Sequence, residues 1–403
     1  MDVNNDNDSS SAAPRLGIIG GGQLARMTAL AAANLGVEVR TIERAAPSPA
    51  SYVAAESLQG DWIAAEDLLR LAAKVDLLTL ENEFVDADQL AKVEAAGHVV
   101  YPTSATMRLV QDKLAQKRTL EGAGLPIPAM RQVDSLEDLK AAGETLGLPL
   151  VLKARRNGYD GKGNFTVRSE ADFEAGWKAL DGPDGRELYA EAFCPFVKEL
   201  ATIVTRSRSG ESAHYPVVET VQKDHICHIV RAPADVDVGV AERAADIAAR
   251  AIDAIDGVGS FGVEMFLLED GSIVVNELAP RVHNSGHYTI EACECSQFEN
   301  HVRAVLDLPR GSTRMVAPAA VMINNLGDGH GPGYPGGMAE ALKIAGAHVH
   351  TYGKAKSVPG RKMGHVTALG DDVAEAEAKA RKAADALIYG SPDGSGASKV
   401  QSV

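Results

Sequence analysis

The run Gly262–Thr289, GVEMFLLEDGSIVVNELAPRVHNSGHYT, constrains the chain more than any other stretch. Two apolar, β-branched segments, Gly262–Leu268 and Ser272–Leu278, are joined through Asp270–Gly271, the strongest short-range hairpin signal. If Asp270 and Gly271 form a two-residue type I′ loop, Glu269 faces Ser272 and Glu264 faces Glu277. Two carboxylates then lie directly across the ladder, which is destabilising unless a counter-charge meets them. A hard divalent cation is the usual remedy, and Mg2+ shares one or two carboxylates with substrate phosphates. The hairpin therefore reads as a metal–nucleotide platform. A register shifted by one residue would instead put the glutamates on opposite faces, with one of them simply solvated.

The segment that follows, Asn276–His287, gathers amides, a cation, a hydroxyl and two imidazoles, and Pro280 ends the ladder. A structural loop rarely needs so many different donors. His283 and His287 stand four apart, but Asn284, Ser285 and Gly286 between them oppose a helix, so a zinc pair is not expected.

With 403 residues the chain can form two or three domains with sizeable cores. A formal net charge of −15 argues against nucleic acid or an anionic membrane as the main partner. The opening MDVNNDNDSSSAAP lacks an apolar core and reads as a disordered tail, and no apolar run approaches a membrane span. Cys194, Cys227, Cys293 and Cys295 complete no zinc pattern, so reduced thiols in a cytoplasmic protein are expected.

Taken in order, Leu16–Gly20 is a short buried strand, and Gly20–Ala25 fits G-x-G-x-x-A before a helical run to Asn34. A second strand, Val37–Ile42, ends in Glu43, where a dinucleotide-binding fold places its ribose acid. Read alone, these residues suggest a nicotinamide-dependent oxidoreductase, although any glycine-rich turn of a doubly wound sheet looks similar. Helix Ala64–Lys74, strand Asp76–Leu80, helix Ala87–Ala96 and strand His98–Tyr101 continue an open parallel sheet. Glu81, Asn82 and Glu83 follow a strand's carboxyl end, where such sheets bind ligands; exposed loop charges are the competing reading.

A helix over Ser104–Gly122 carries Lys113 and leads to the stiff linker Leu125–Pro128. Strand Leu148–Lys153 then ends in a lysine before a basic glycine loop and strand Phe165–Arg168. The loop's glycines, Gly158, Gly161 and Gly163, with Lys153 and Lys162, suit a hairpin lid over phosphates; no Lys-Ser/Thr and no helix follow, which excludes a Walker loop. Leu188–Ala192 opens a larger antiparallel section of strands Lys198–Ser207, Ala213–Thr220 and His225–Ala232, and helix Val240–Ile255 leads to the hairpin. Helix Ile290–Leu306, strand Ala317–Ile323, two short strands and helix Asp372–Ile388 complete the chain. Lys354, Arg361 and Lys362 surround a Gly-Pro turn that suits phosphate oxygens, with a solvated basic turn as the alternative.

A strand lysine, a basic glycine loop and a downstream acidic hairpin ending Asn-Glu together resemble the ATP-grasp superfamily. The strings GIIGGGQLARM, GYDGKGN (158–164), NELAPRVHNSGHYT (276–289) and PGRKMGHV (359–366) resemble the N5-carboxyaminoimidazole ribonucleotide synthase family from about Leu16 to Ile388. The resemblance implies an α/β fold, α+β in its central and C-terminal parts: a Rossmann-like pre-ATP-grasp domain (15–124), a small lid subdomain (125–187), a large subdomain (188–325) and a C-terminal subdomain (326–390), with tails at 1–14 and 391–403. It implies that ATP and bicarbonate form carboxyphosphate, which carboxylates the exocyclic amine of 5-aminoimidazole ribonucleotide and leaves ADP and phosphate.

Carried onto this chain, Lys113 and Lys153 would hold ATP phosphates, and Gly158, Tyr159, Asp160, Gly161, Lys162, Gly163 and Asn164 would form the lid. Glu191, Ala192, Phe193 and Cys194 would line the adenine, and Glu199 the ribose. Glu264 and Glu277, with Asn276, would hold Mg2+, or Mn2+ in its place. Glu83, Tyr159, Asp160, Arg281, His283, Asn284 and Ser285 would surround the acceptor, with Lys153, Asp160, Arg281 and His283 acting in catalysis. Lys354, Arg361 and Lys362 would take the acceptor's 5′-phosphate. Gln222 stands near ATP where relatives carry histidine; it can donate a hydrogen bond but cannot titrate. A homodimer is implied. A catalytically silent nucleotide-binding regulator and another ATP-grasp carboxylate–amine ligase are the competing readings.

Overall fold

A computed structural model describes residues 13–158, 163–224 and 226–391. The chain begins with β1 (Arg15–Ile19), α1 (Gln23–Asn34), β2 (Glu38–Glu43), β3 (Glu56–Gln59), α2 (Ala65–Ala72), β4 (Leu77–Leu80) and α3 (Ala87–Ala95). The strands form a parallel sheet in the order β3-β2-β1-β4. Side chains alternate across a strand, so Ile19 packs towards Leu68 and Leu71 of α2, while Leu16 and Ile18 pack towards Ala25, Ala29 and Ala32 of α1. The strand expected at His98–Tyr101 is reduced to one parallel bridge, Leu78–Val100, because Pro102 at once removes a ladder donor.

The helix expected over Ser104–Gly122 is two helices, α4 (Ser104–Gln111) and α5 (Lys113–Gly122). Asp112 breaks it: its carboxylate accepts the N–H groups of Leu114 (3.1 Å) and Ala115 (3.2 Å), so N-capping defeats helical continuity. The same carboxylate pairs with Arg155, tying the start of α5 to the strand that leads into the lid.

The next elements are β5 (Met130–Val133), α6 (Leu136–Leu146), β6 (Leu150–Ala154), β7 (Asn164–Val167), α7 (Phe173–Ala179) and β8 (Leu188–Ala192). They make an antiparallel sheet in the order β5-β8-β6-β7. Leu188–Ala192 therefore closes the small sheet and does not open the larger one. Leu188 and Ala190 bury against Leu150, Leu152 and Val167, which only that placement allows.

The larger antiparallel section comprises β9 (Phe196–Arg206), β10 (Ser212–His214), β11 (Val218–Lys223), β12 (Ile226–Ala232), α8 (Val238–Ala254), β13 (Gly259–Leu268) and β14 (Ile273–Ala279). After α9 (Thr289–Ala292) and α10 (Gln297–Val305) come β15 (Ala319–Leu326), β16 (Gly331–Pro332), α11 (Met338–Ala341), β17 (Ala347–Thr351), β18 (Lys356–Ser357), β19 (Lys362–Gly370) and α12 (Val373–Asp385). One sheet runs β14-β13-β9-β11-β12-β15-β19-β17, so the C-terminal strands extend the sheet that carries the hairpin. The helix expected at Ile290–Leu306 splits into α9 and α10, because Cys293 bridges to Met315 and Ser296 caps a new helix by accepting Glu299 N–H.

The hairpin differs from expectation twice, and the differences cancel. Leu268, not Glu269, faces Ser272: Leu268 N–H donates to Ser272 O (2.9 Å) around the three-residue loop Glu269–Gly271, with Gly271 left-handed at φ +79°. One extra residue, Asn276, then bulges from β14, so that pairing passes from Met265–Val275 to Glu264–Glu277. The bulge puts Val275 and Leu278, three apart, into one core with Val263 and Met265, and both Asn276 and Glu277 stay outside it.

Replacing Asp112 with alanine removes a helix cap and leaves Arg155 without its buried partner. Chemical denaturation should show a loss of about 2–4 kcal/mol, and an unchanged midpoint would disprove the linking role.

Candidate active site

Glu264 and Glu277 face one another from β13 and β14. Burial, then the charges of Glu277 and Glu199, push the Glu264 carboxyl up to about 7. Lys113, the first residue of α5, donates from Nζ to Glu277 Oε2 at 2.9 Å. Burial opposes the lysine's charge, but Glu277, Glu264 and Glu83 outweigh it and hold its pKa above the ordinary value. Carboxylates thus outnumber this lysine, and a hard dication fits that donor set.

A second charged group joins the small sheet to the hairpin. Glu191 of β8 accepts from Lys153 Nζ at 2.5 Å and lies 3.3 Å from Lys117 Nζ. Burial alone would raise the Glu191 carboxyl, yet Lys153 and Lys117 hold it at about 2. Lys117, fully buried and pushed down to about 8 by that burial, also donates to Val275 O at 2.7 Å. The sequence reading passed over Lys117, although it lies four residues beyond Lys113 on one helix and so on the same face. Glu199 lies across from Phe266 on β13 and Thr220 on β11, with Thr220 Oγ1 3.5 Å from its carboxylate. Phe193 is exposed, Cys194 half-buried, and Gln222 sits at an irregularity of β11 opposite Cys227. Lid residues Tyr159, Asp160, Gly161 and Lys162 lie outside the described residues; Gly158 and Gly163 flank them, with Asn164 starting β7.

The loop after β14 is built from inward-facing polar groups. Arg281 forms a two-pronged pair with Glu83, Nε to Oε2 at 2.5 Å and Nη2 to Oε1 at 2.9 Å, so Glu83 is a loop charge with a partner. Burial, followed by the charges of Arg281 and Lys362, pushes the His283 imidazole down to about 3, so it is neutral at pH 7. Its Nδ1 meets Ser285 Oγ at 2.9 Å and its Nε2 lies 3.6 Å from Glu264. The ring rests against Gly262, where a Cβ would come within 2.5 Å of it, so only glycine fits there. Gln297 clamps the His283 backbone from both sides, accepting its N–H (2.9 Å) and donating to its carbonyl (2.7 Å). Asn284 forms a reciprocal amide pair with buried Asn324. Gln297 and Asn324 gave no signal in the sequence, since each acts from a distant element.

The glycine turn holds carboxylates of its own chain. Glu43 accepts from Gly21 N–H (3.0 Å), and Glu81 accepts from Gly22 (2.7 Å) and Ala25 (3.0 Å). These are the amides that a dinucleotide pyrophosphate would take, and two carboxylates hold them. The dinucleotide reading of residues 16–43 is therefore corrected. The charge of Glu81 partly offsets the lowered pKa of Lys354, so the turn adjoins the basic cluster. Lys354 donates to Lys362 O at 2.5 Å, and Arg361 Nη1 to Lys356 O at 3.2 Å. Burial, then repulsion by Arg361, pushes the Lys354 ammonium down to about 7. Leu24 and Met27 of α1, Val282, Phe298 and Tyr352 pack as one cluster, which brings the acceptor-side loop, the first domain and the last strands together. A cavity of about 430 Å3 is lined by Glu83, Lys113, Gly158, Glu277 and Pro280 among others.

The ribonucleotide synthetase pre-ATP-grasp domain matches residues 14–111, the ATP-grasp domain 118–298, and the phosphoribosylaminoimidazole carboxylase C-terminal domain 320–379. The N5-carboxyaminoimidazole ribonucleotide synthase of Synechococcus elongatus is 40% identical over 87% of this chain and 88% of its own length. This chain belongs to the N5-carboxyaminoimidazole ribonucleotide synthase family. Its fold is ATP-grasp with a pre-ATP-grasp domain. The Aspergillus clavatus synthase crystallised with ADP and 5-aminoimidazole ribonucleotide superposes with a TM-score of 0.84, at 39% identity, over 93% of this chain and 98% of that one. The chloroplastic phosphoribosylaminoimidazole carboxylase of Vigna aconitifolia is 41% identical over 90% of this chain, which spans 65% of that longer protein.

Besides His283, burial pushes the imidazoles of His287 and His365 well below 6.5 and that of His301 down to about 4. Each folded value lies under the roughly 6.5 of an exposed histidine, so the unfolded chain takes up protons first as pH falls. This stability is whole above about pH 6.5 and drains towards pH 4, by up to about 1.4 kcal/mol per pH unit for each histidine. Thermal melts should therefore fall steadily between pH 6.5 and 4.5; a flat profile would refute the neutral, buried assignment.

Proposed function

We propose that this chain uses ATP and bicarbonate to carboxylate the exocyclic amine of 5-aminoimidazole ribonucleotide, releasing ADP and phosphate. The observation that carries the reading is the paired-carboxylate hairpin with Lys362 of the basic cluster close enough for its charge to act on both Glu264 and the loop's His283. Lys113 and Lys153 hold the phosphates of ATP, Glu191 to Cys194 border the adenine, and Glu199 takes the ribose. Glu264 and Glu277, with Asn276, would hold Mg2+, which would supply positive charge to offset that developing on phosphate oxygens; Mn2+ would fit the same donors.

The loop prepares the acceptor. Arg281, fixed by Glu83, binds without rotational freedom, and Asn284 is set by Asn324. Ser285 N–H also points at His283 Nδ1 (3.4 Å), so Nδ1 accepts and Nε2 carries the ring proton. His283 in this state donates and orients. The amine nitrogen bonds the carboxyl carbon and gives up its proton as the bond to phosphate breaks and phosphate leaves; Asp160 is carried over from the family with the catalytic residues. A closed lid, from Gly158 to Asn164, keeps water from carboxyphosphate. Lys354, Arg361 and Lys362 take the 5′-phosphate, and a bound dianion restores the charge that burial takes from Lys354.

The reading predicts that ADP release from Mg2+-ATP and bicarbonate is strongly stimulated by 5-aminoimidazole ribonucleotide and not by other amines. Release indifferent to that nucleotide would move the substrate to another ATP-grasp carboxylate–amine ligation. Arg361→Ala should raise the acceptor KM about 10- to 100-fold, the loss of one charge-assisted phosphate contact, and leave the KM for ATP unchanged. An unchanged acceptor KM would remove Arg361 from the clamp.

A further inference from the structure

The like-charge pair of the hairpin depends on a one-residue bulge, and the structure shows what holds that bulge. β14 is the edge of the nine-stranded sheet, so one side of its backbone has no partner strand. Val275 turns outward: its N–H donates to Pro126 O (2.9 Å) and its carbonyl accepts from Lys117 Nζ (2.7 Å). In a regular strand the next outward residue would be Glu277, two positions on. Here it is Leu278, three positions on, whose N–H donates to Gln116 Oε1 at 3.1 Å.

We propose that Gln116 and Lys117, adjacent residues of α5, are positioning residues that select the bulged register of β14 and thereby place Glu277 opposite Glu264. Both side chains are 1% exposed, so neither has solvent as an alternative partner. Gln116 is itself fixed, donating from Nε2 to Val110 O at 3.2 Å. An unbulged strand would offer Gln116 the wrong residue and turn the Glu277 side chain to the opposite face. The Lys117 ammonium also lies 3.3 Å from Glu191, whose other oxygen binds Lys153. One helix therefore sets the hairpin and the strand lysine together, with Lys113, Gln116 and Lys117 at positions i, i+3 and i+4.

The inference rests on the reading of Glu264 and Glu277 as a metal platform, and its test separates the two. Mn2+ affinity in the presence of saturating ADP is measured by electron paramagnetic resonance for the unaltered protein, Glu277→Gln, Gln116→Met and Gln116→Glu. Methionine keeps the volume but offers no oxygen to Leu278. A buried glutamic acid takes up a proton and keeps both bonds. The expected result is at least a tenfold loss of Mn2+ affinity for Glu277→Gln and Gln116→Met, and affinity within about threefold of normal for Gln116→Glu. Normal affinity in Gln116→Met beside a weakened Glu277→Gln overturns the positioning role. Normal affinity in both overturns the platform itself. Hydrogen exchange of the unaltered protein tests the register should Gln116→Met fail to fold: the Leu278 amide is expected to be protected despite its edge position, and rapid exchange there overturns the inference.

Discussion

Carboxylates that face each other across an antiparallel ladder repel, and most of this molecule is arranged around keeping Glu264 and Glu277 in that position. Burial, and then the charge of Glu277, raises the Glu264 carboxyl to about 7. The opposing forces come from three elements. Lys113 supplies charge from the start of α5, the apolar contacts of Val275 and Leu278 hold β14 to the core, and side chains of α5 satisfy the edge of the strand. A hairpin free of these contacts would relax to a register that parts the carboxylates.

The same economy appears in the loop beyond the hairpin. Arg281, His283 and Asn284 lie within four residues, yet each is aimed by a different part of the chain, and Ser285 is held by His283 itself. Glu83 comes from the end of β4, Gln297 from α10, Asn324 from β15 and Gly262 from β13. Because these partners are buried and fully engaged, the loop is rigid before any ligand arrives, and little ordering entropy is left to lose on binding. The basic cluster behaves differently. Burial, and then the repulsion of Arg361, pushes the Lys354 ammonium down to about 7.

The glycine turn illustrates how one local pattern serves unrelated ends. Its amides form an anion-binding N-terminus in the ordinary way, but the anions are Glu43 and Glu81 of the chain itself. Family membership then agrees with the geometry: the turn belongs to a pre-ATP-grasp domain, and Leu24 and Met27 of the helix that follows it pack against Val282 and Tyr352.

Residue order alone determined the alternating strands and helices of the first domain, the existence of the hairpin, and the strings that mark the family, because periodicity and turn chemistry are local. It located the cations around Lys354 for the same reason. Tertiary structure decided the rest. The tie from Asp112 to Arg155, the placement of Leu188–Ala192 where its apolar face finds a partner, and the bulge that sets Glu277 opposite Glu264 beside α5 all rest on groups distant in sequence. Lys117, Gln116, Gln297 and Asn324 escaped notice because their roles are hydrogen bonds to groups far away in sequence, which no spacing rule encodes. Local pattern specifies which groups a segment can offer; only packing decides which buried groups must be satisfied, and by whom.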